Sequence, residues 1–258
     1  MIQKNFALER LRQGKPILGS WNTLASPLVT EVLASGGLDF LMVDFEHGPF
    51  DLTQLSSYVN ACERYSCSPI VRIPRLAPWM TLQALDQGAH GVMVPHIDTV
   101  EDAKLLIKSS HYHPRGERGF SPFTKAGGFT NATTADYVKR AADFTLTAII
   151  VESKAALDNL DDILKLPEID VVYFGAYDLS QALGVPGQVK SDAVVMAIKQ
   201  GAEKVRKSGK FPGGFVAQSD DDIRWQIDLG LQFITYNVDA AILLNPVRDI
   251  VSKFALFR

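Results

Sequence analysis

Leu38-Asp39-Phe40-Leu41-Met42-Val43-Asp44-Phe45-Glu46-His47-Gly48-Pro49 begins as a strand and ends as something else. Residues 40–43 are a continuous apolar run of β-formers, the pattern of a buried strand. Two carboxylates and an imidazole then follow within four residues, and Gly48 and Pro49 stop the strand. Ionisable groups in that position are not core, because buried charge is costly unless it is paired or ligating. The strand therefore opens into a polar cavity.

Outward from this stretch, apolar strand-like runs recur, each followed by a helical pattern. Strands are predicted at 17–21, 40–43, 69–73, 91–95, 145–151, 171–174, 213–217 and 233–236. Helices are predicted at 27–34, 51–64 with Asp51 as N-cap, 78–86, and from a Thr99 cap to 109. Further helices are predicted at 134–142, 153–164, 192–208, 219–229 and 240–254. Eight strand–helix units without a break in composition predict a single (β/α)8 barrel of TIM type spanning 1–258. The alternative, a doubly wound open sheet, usually carries a glycine fingerprint after its first strand. Here that strand ends in Trp21 and Asn22. The one irregular region, 111–133, is glycine-rich and carries Pro114, Pro122, Arg115, Arg118 and Lys125. A loop of this length in a compact domain is usually functional or disordered.

Composition bounds the function. The 258 residues are 47% hydrophobic and 21% charged, ordinary for a globular chain with a large core. A net charge of -3 gives no basic field for nucleic acid. No apolar run is long enough to span a bilayer, and residues 1–6 carry no signal-peptide-like run. Cys62 and Cys67 are too few for a disulfide scaffold or a cysteine zinc site. A cytoplasmic protein fits these features.

In a barrel, chemistry lies where strands end. The strand ends offer Trp21 and Asn22; Asp44, Glu46 and His47; Arg72; His96; Glu152; Tyr177 and Asp178; and Asn237 and Asp239. Carboxylates, histidine and arginine from separate strands suit a hard divalent cation held by few carboxylates and several waters, with substrate oxygens in open positions. Each residue also has a structural reading. Arg72 could pair with a neighbouring carboxylate and close a polar layer. Glu152 could cap the helix starting at Ser153, and Asp178 the turn at Leu179 and Ser180. His47 alone divides evenly between structure and chemistry. Gly213 and Gly214 could approach a phosphate, though a tight strand entry is the simpler reading.

These residues resemble the HpcH/HpaI aldolase family of metal-dependent pyruvate aldolases. Asp44 to Pro49 matches its D-x-E-H-x-P motif, and Val71-Arg72 its V-R. Leu85-Asp86-Gln87-Gly88 matches L-D-x-G, and Val94-Pro95 matches V-P. Gly116 to Gly119 matches the G-x-R-G of a long loop, Val151-Glu152 the metal glutamate, and Gly175 to Ser180 G-x-x-D-L-S. Trp21 also follows the first strand as in that family.

The resemblance implies that Glu152 and Asp178 bind a divalent metal ion (Mg2+, Mn2+ or Co2+), which pyruvate chelates. It implies that Arg72 stabilises the developing enolate. His47, oriented by Asp86, would act as base by way of a water on the metal. Trp21, Arg72, Gly175, Ala176, Tyr177 and Asp178 would line the substrate. The reaction implied is cleavage or formation of 4-hydroxy-2-keto acids, from a 2-keto acid and an aldehyde. A homo-oligomer, trimer or hexamer, is implied, with the 111–133 loop helping to close an active site and the C-terminal helix a candidate for exchange between subunits. Three departures bear on substrate choice: Ile150 replaces a frequent glutamine, Ala176 a proline, and bulky Tyr177 a small residue. His96 adds an unusual polar group. Alternatives remain: an oxaloacetate decarboxylase or related enolate-forming lyase, a citrate-lyase-like activity, a phosphate-binding isomerase, and a non-catalytic binding barrel.

Overall fold

The computed structural model describes residues 4–130 and 134–258. Eight parallel strands close in sequence order: β1 (Ile17–Asn22), β2 (Phe40–Asp44), β3 (Ser68–Arg72), β4 (Gly91–Val94), β5 (Leu146–Val151), β6 (Val171–Phe174), β7 (Phe211–Gly214) and β8 (Phe233–Val238). β1 pairs with both β2 and β8, which completes the barrel. In chain order the helices are α1 (Phe6–Arg12), α2 (Pro27–Ser35), α3 (Leu55–Glu63), α4 (Pro78–Asp86), α5 (Val100–Ser110) and α6 (Thr134–Phe144). Then come α7 (Lys154–Asp158), α8 (Leu160–Ile163), α9 (Ala176–Ala182), α10 (Asp192–Lys207), α11 (Asp220–Asp228) and α12 (Asp239–Phe254).

The expected (β/α)8 barrel is therefore the fold. Along β2, alternate residues face opposite ways. Phe40 and Met42 join the barrel interior with Ile70, Met93 and Phe233, while Val43 packs outward among the helices. Phe40 and Phe233 stack with centroids 4.0 Å apart. A Cβ on Gly19 would lie 2.5 Å from the Phe40 ring, so β1 supplies no side chain there. Burying a ring such as Phe40 contributes roughly 1.5–3 kcal/mol.

Several boundaries differ from expectation for local reasons. α1 is an extra helix that covers the floor of the barrel, adding Ala7, Leu8 and Leu11 to the interior cluster. Asn5 caps it and fastens it down, its Nδ2 donating to His90 O (2.8 Å) and Phe144 O (2.7 Å). Asp51 caps a 3-10 turn, Leu52–Gln54, that precedes α3. The expected helix at 153–164 is broken at Asn159 into α7 and α8. β7 starts two residues earlier than expected and ends three earlier, where Phe215 turns out of the strand at φ +56°. Asp178 lies within α9 rather than in a turn.

The loop after α5 is placed by helix direction. Barrel helices run antiparallel to their strands, so a segment leaving a helix lies at the floor, not the mouth. The described part of 111–133 packs there: Ala126 N–H donates to Asp86 O (3.1 Å), and Lys125 Nζ meets Glu63 (2.7 Å). Residues 131–133 lie outside the described residues. Within its own chain the described part of the loop does not cover the mouth. α12 touches β1 and β8 and leaves Leu243, Val247, Ile250, Val251 and Phe254 more than half exposed.

Candidate active site

A cavity of about 410 Å³ opens where the strands end. Its carboxylate, imidazole and guanidinium groups come from four strands: Asp44 at the end of β2 and His47 after it, Arg72 on β3, Glu152 after β5, and Asp178 after β6.

Asp44, 1% exposed, organises the turn after β2. Its Oδ1 accepts the N–H groups of Glu46 (3.0 Å) and His47 (3.2 Å), which holds the motif in a tight hook. The same carboxylate receives Arg72 Nε (2.8 Å) and Nη2 (2.6 Å). Arg72 Nη1 also lies 3.0 Å from Glu46, and the guanidinium centre stands 4.3 Å from the Trp21 ring centre. The two readings of Arg72 are thus compatible: it pairs with carboxylates and still lines the cavity. His47 is exposed at the mouth, and its imidazole has no hydrogen-bond partner among the described residues.

Glu152 is 7% exposed. One oxygen, Oε1, accepts the His96 N–H (2.9 Å) and lies 2.8 Å from His96 Nδ1. His96 reaches this position at φ +55°. Burial pushes the Glu152 carboxyl above its usual range; His96 opposes the shift, while nearby Asp178 and Glu46 add to it. Oε2 lies against Gly175, where a Cβ would approach it to 2.9 Å. Asp178, exposed in the first turn of α9, engages only Gln181 Nε2 weakly (3.3 Å). A buried carboxylate raised by burial and by its acidic neighbours, with one oxygen lacking a hydrogen-bond partner among the described residues, fits a hard cation. Among the described residues no group of three or more His, Cys, Asp or Glu could hold a metal alone. The donor set that fits is therefore a carboxylate pair completed by other oxygens.

Trp21 forms a wall, edge-on to Tyr173 at 5.8 Å. Ala176 is buried, Tyr177 is 56% exposed, and both line the mouth with Gly175. Asp86 does not join this group. It ends α4 at the floor, where Arg118 Nη2 binds its carboxylate at 2.5 Å. Asp239 and Asn22 are structural. Asp239 accepts Asn22 Nδ2 (2.7 Å) and the N–H groups of Thr23 and Leu24, locking the turn after β1 to the start of α12.

Sequence reasoning missed Tyr173, Phe215 and Val216, which also line the cavity. Burial pushes the Tyr173 phenol up to about 12, and its hydroxyl bonds Phe215 O (2.5 Å) and Thr235 Oγ1 (2.8 Å). Its position two residues before Gly175, on the inward alternation of β6, was the available signal.

The fold and this carboxylate–arginine mouth define an enzyme of carbon–carbon bond chemistry. The chain belongs to the HpcH/HpaI aldolase/citrate lyase family, whose model matches residues 18–246. It is 33% identical over 245 residues to a hydroxypyruvate/pyruvate aldolase of Roseovarius nubinhibens, covering 95% of this chain and 94% of that one. The fold matches a crystal structure of a family protein from Burkholderia cenocepacia with TM-score 0.90 and 28% identity, covering 98% and 100% of the two chains. A citrate synthase structure matches with TM-score 0.88 and 27% identity, covering 98% of each.

Proposed function

We propose that this chain is a divalent-metal-dependent pyruvate aldolase. The observation that carries the reading is Glu152: it lines the same cavity as Asp178 and Arg72, its Oε2 has no hydrogen-bond partner among the described residues, and neighbouring like charge that a cation would relieve acts on its carboxyl. Glu152 and Asp178 would hold Mg2+, Mn2+ or Co2+. A bound ion supplies polarisation of the pyruvate ketone.

The chain's own residues do the rest. Arg72, held rigid by Asp44 and Glu46, directs fixed positive charge at the oxygen that gains charge as the enolate forms. The first N–H groups of α9, at Ala176 to Asp178, are unpaired within the helix and suit the pyruvate carboxylate. Trp21 closes one side. His47 takes the methyl proton. Among the described residues no lysine lines the cavity, and the reading uses no Schiff base. Asp86 can assist His47 only from another subunit, because in its own chain it lies at the opposite end of the barrel. That requirement, with the apolar outer face of α12, supports a homo-oligomer, trimer or hexamer.

A second reading, an oxaloacetate decarboxylase or related lyase using the same enolate, is favoured by the likeness to a citrate synthase. Two assays decide. Metal-loaded protein should exchange pyruvate methyl protons for deuterium without any aldehyde, and a chelator should stop it. Carbon dioxide release from oxaloacetate that outpaces every aldehyde condensation would favour the second reading.

A further inference from the structure

We infer that a side cavity beside the mouth is the acceptor subsite, that it takes a short hydroxylated aldehyde, and that Tyr177 selects for the hydroxyl groups. The inference rests on the aldolase reading above. The cavity, about 150 Å³, shares Ala176, Tyr177, Phe215 and Val216 with the mouth. It continues outward between α9 and α11 to Lys190, Asp222 and Trp225. At about 30 Å³ for each water-sized group, it holds roughly five such groups, the bulk of a three- or four-carbon hydroxylated tail.

The chemistry of the lining narrows the tail. Phe215 and Trp225 pack at 4.6 Å and give an aromatic wall for C–H faces. Opposite, Lys190 Nζ donates to Asp222 Oδ1 (2.6 Å) and stands 5.5 Å from the Trp225 ring centre. A wholly apolar tail would desolvate this ion pair with nothing in return. A terminal carboxylate meets Asp222 with Lys190, the cation of the described lining, already paired, and Asp220 and Asp221 precede it on the same helix. Hydroxyl groups, which both donate and accept, match a lining that offers an ammonium and a carboxylate.

Tyr177 stands at the junction, with its phenol unpaired among the described residues. Next to it the chain is bent: Phe215 holds φ +56°, and its carbonyl is bonded by both Tyr173 and Thr235. Left-handed backbone at a bulky residue costs energy and persists where surrounding contacts enforce it. The bend lies where the two cavities meet: Phe215 and Val216 line both of them, as Tyr177 does.

The test compares three aldehydes with pyruvate as donor: glyceraldehyde, propionaldehyde and succinic semialdehyde. Wild type should prefer glyceraldehyde over propionaldehyde in kcat/KM by about tenfold or more, the worth of one well-made hydrogen bond. It should prefer both over the semialdehyde. Tyr177→Phe and Lys190→Met should each reduce the glyceraldehyde-to-propionaldehyde ratio about tenfold. The ratio cancels any change in the pyruvate half-reaction. An unchanged ratio in both variants, or a semialdehyde preference in wild type, overturns the subsite while deuterium exchange into pyruvate leaves the aldolase reading standing. No exchange in wild type overturns the aldolase reading and the subsite with it.

Discussion

Asp44 and Arg72 are register partners on adjacent strands, and their side chains form a two-point ion pair at 2.8 and 2.6 Å. The pair is nearly buried, so the two changes usually made at an arginine separate here. Arg72→Ala strands a buried carboxylate and should cost about 3–5 kcal/mol of stability. Arg72→Lys keeps the charge but loses the planar fork. It should fold with a small drop in Tm and lose about 2–4 kcal/mol of transition-state stabilisation, read as kcat/KM. Full activity in Arg72→Lys would show that charge alone suffices.

Glu152→Gln keeps an acceptor for the His96 N–H, and Asp178→Asn changes an exposed side chain. Both should fold as wild type does and lose divalent-ion affinity by at least tenfold in calorimetry, about 1.4 kcal/mol. Retained affinity in either removes that residue from the metal pair.

Gly175→Ala places a methyl 2.9 Å from Glu152 Oε2 and 3.0 Å from its Cβ. Overpacking of this kind costs about 1–3 kcal/mol, and the glutamate is the group that must move. Metal affinity should therefore fall along with Tm. A loss of Tm with unchanged affinity would place the strain elsewhere.

Two groups at the floor oppose each other in pH. Asp170 and His111 line one cavity and both bond Thr147, through its N–H (2.9 Å) and its Oγ1 (2.8 Å). Burial raises Asp170 from 3.8 to about 6, so the folded state binds extra proton and Asp170 costs stability as pH rises from about 4 to 6. Burial, aided by Arg115 and Arg118, lowers His111 from 6.5 to about 4, so its contribution grows with pH across nearly the same window. Each is worth about 3 kcal/mol. Asp170→Asn should make Tm rise more steeply with pH between 4 and 6 than in wild type. His111→Gln should tilt the curve the other way. Parallel curves in all three proteins would refute the opposition.

If Asp86 serves the His47 of another subunit, two inactive variants should complement. His47→Ala and Asp86→Ala, unfolded together and refolded as mixed oligomers, should regain part of the wild-type pyruvate exchange that neither has alone. No recovery, with mixed oligomers verified by mass, would rule out a shared site.

The barrel was legible because β-strand runs and helix signals carry local physics: the Thr99 capping box and the 78–86 helix appear as read. The mouth was legible because ionisable groups at the ends of apolar strands have few other places to go. What escaped was set by three-dimensional direction. Nothing in 111–133 states that it leaves a helix at the floor except its order after α5. Tyr173 reads as core because it is core, packed in the interior cluster, and its place in the cavity lining follows from the closure of the barrel. β7 ends early because Tyr173 and Thr235 grip the Phe215 carbonyl, a contact between strands. Asp86 looked like a partner for His47, yet in its own chain it belongs to Arg118.

The Glu152 carboxylate is divided: Oε1 is engaged by His96, and Oε2 has no hydrogen-bond partner among the described residues. If Glu152 holds a cation through Oε2 while Oε1 keeps its contacts to His96, it offers that cation one oxygen. Ca2+, which fills six to eight positions and often uses both oxygens of an acid, would be left undercoordinated. Ions content with six ligands, one or two of them carboxylate and the remainder water or substrate, would lose nothing. His96, far too exposed to look structural at 62% of its side chain, would thereby act as a filter on ionic radius.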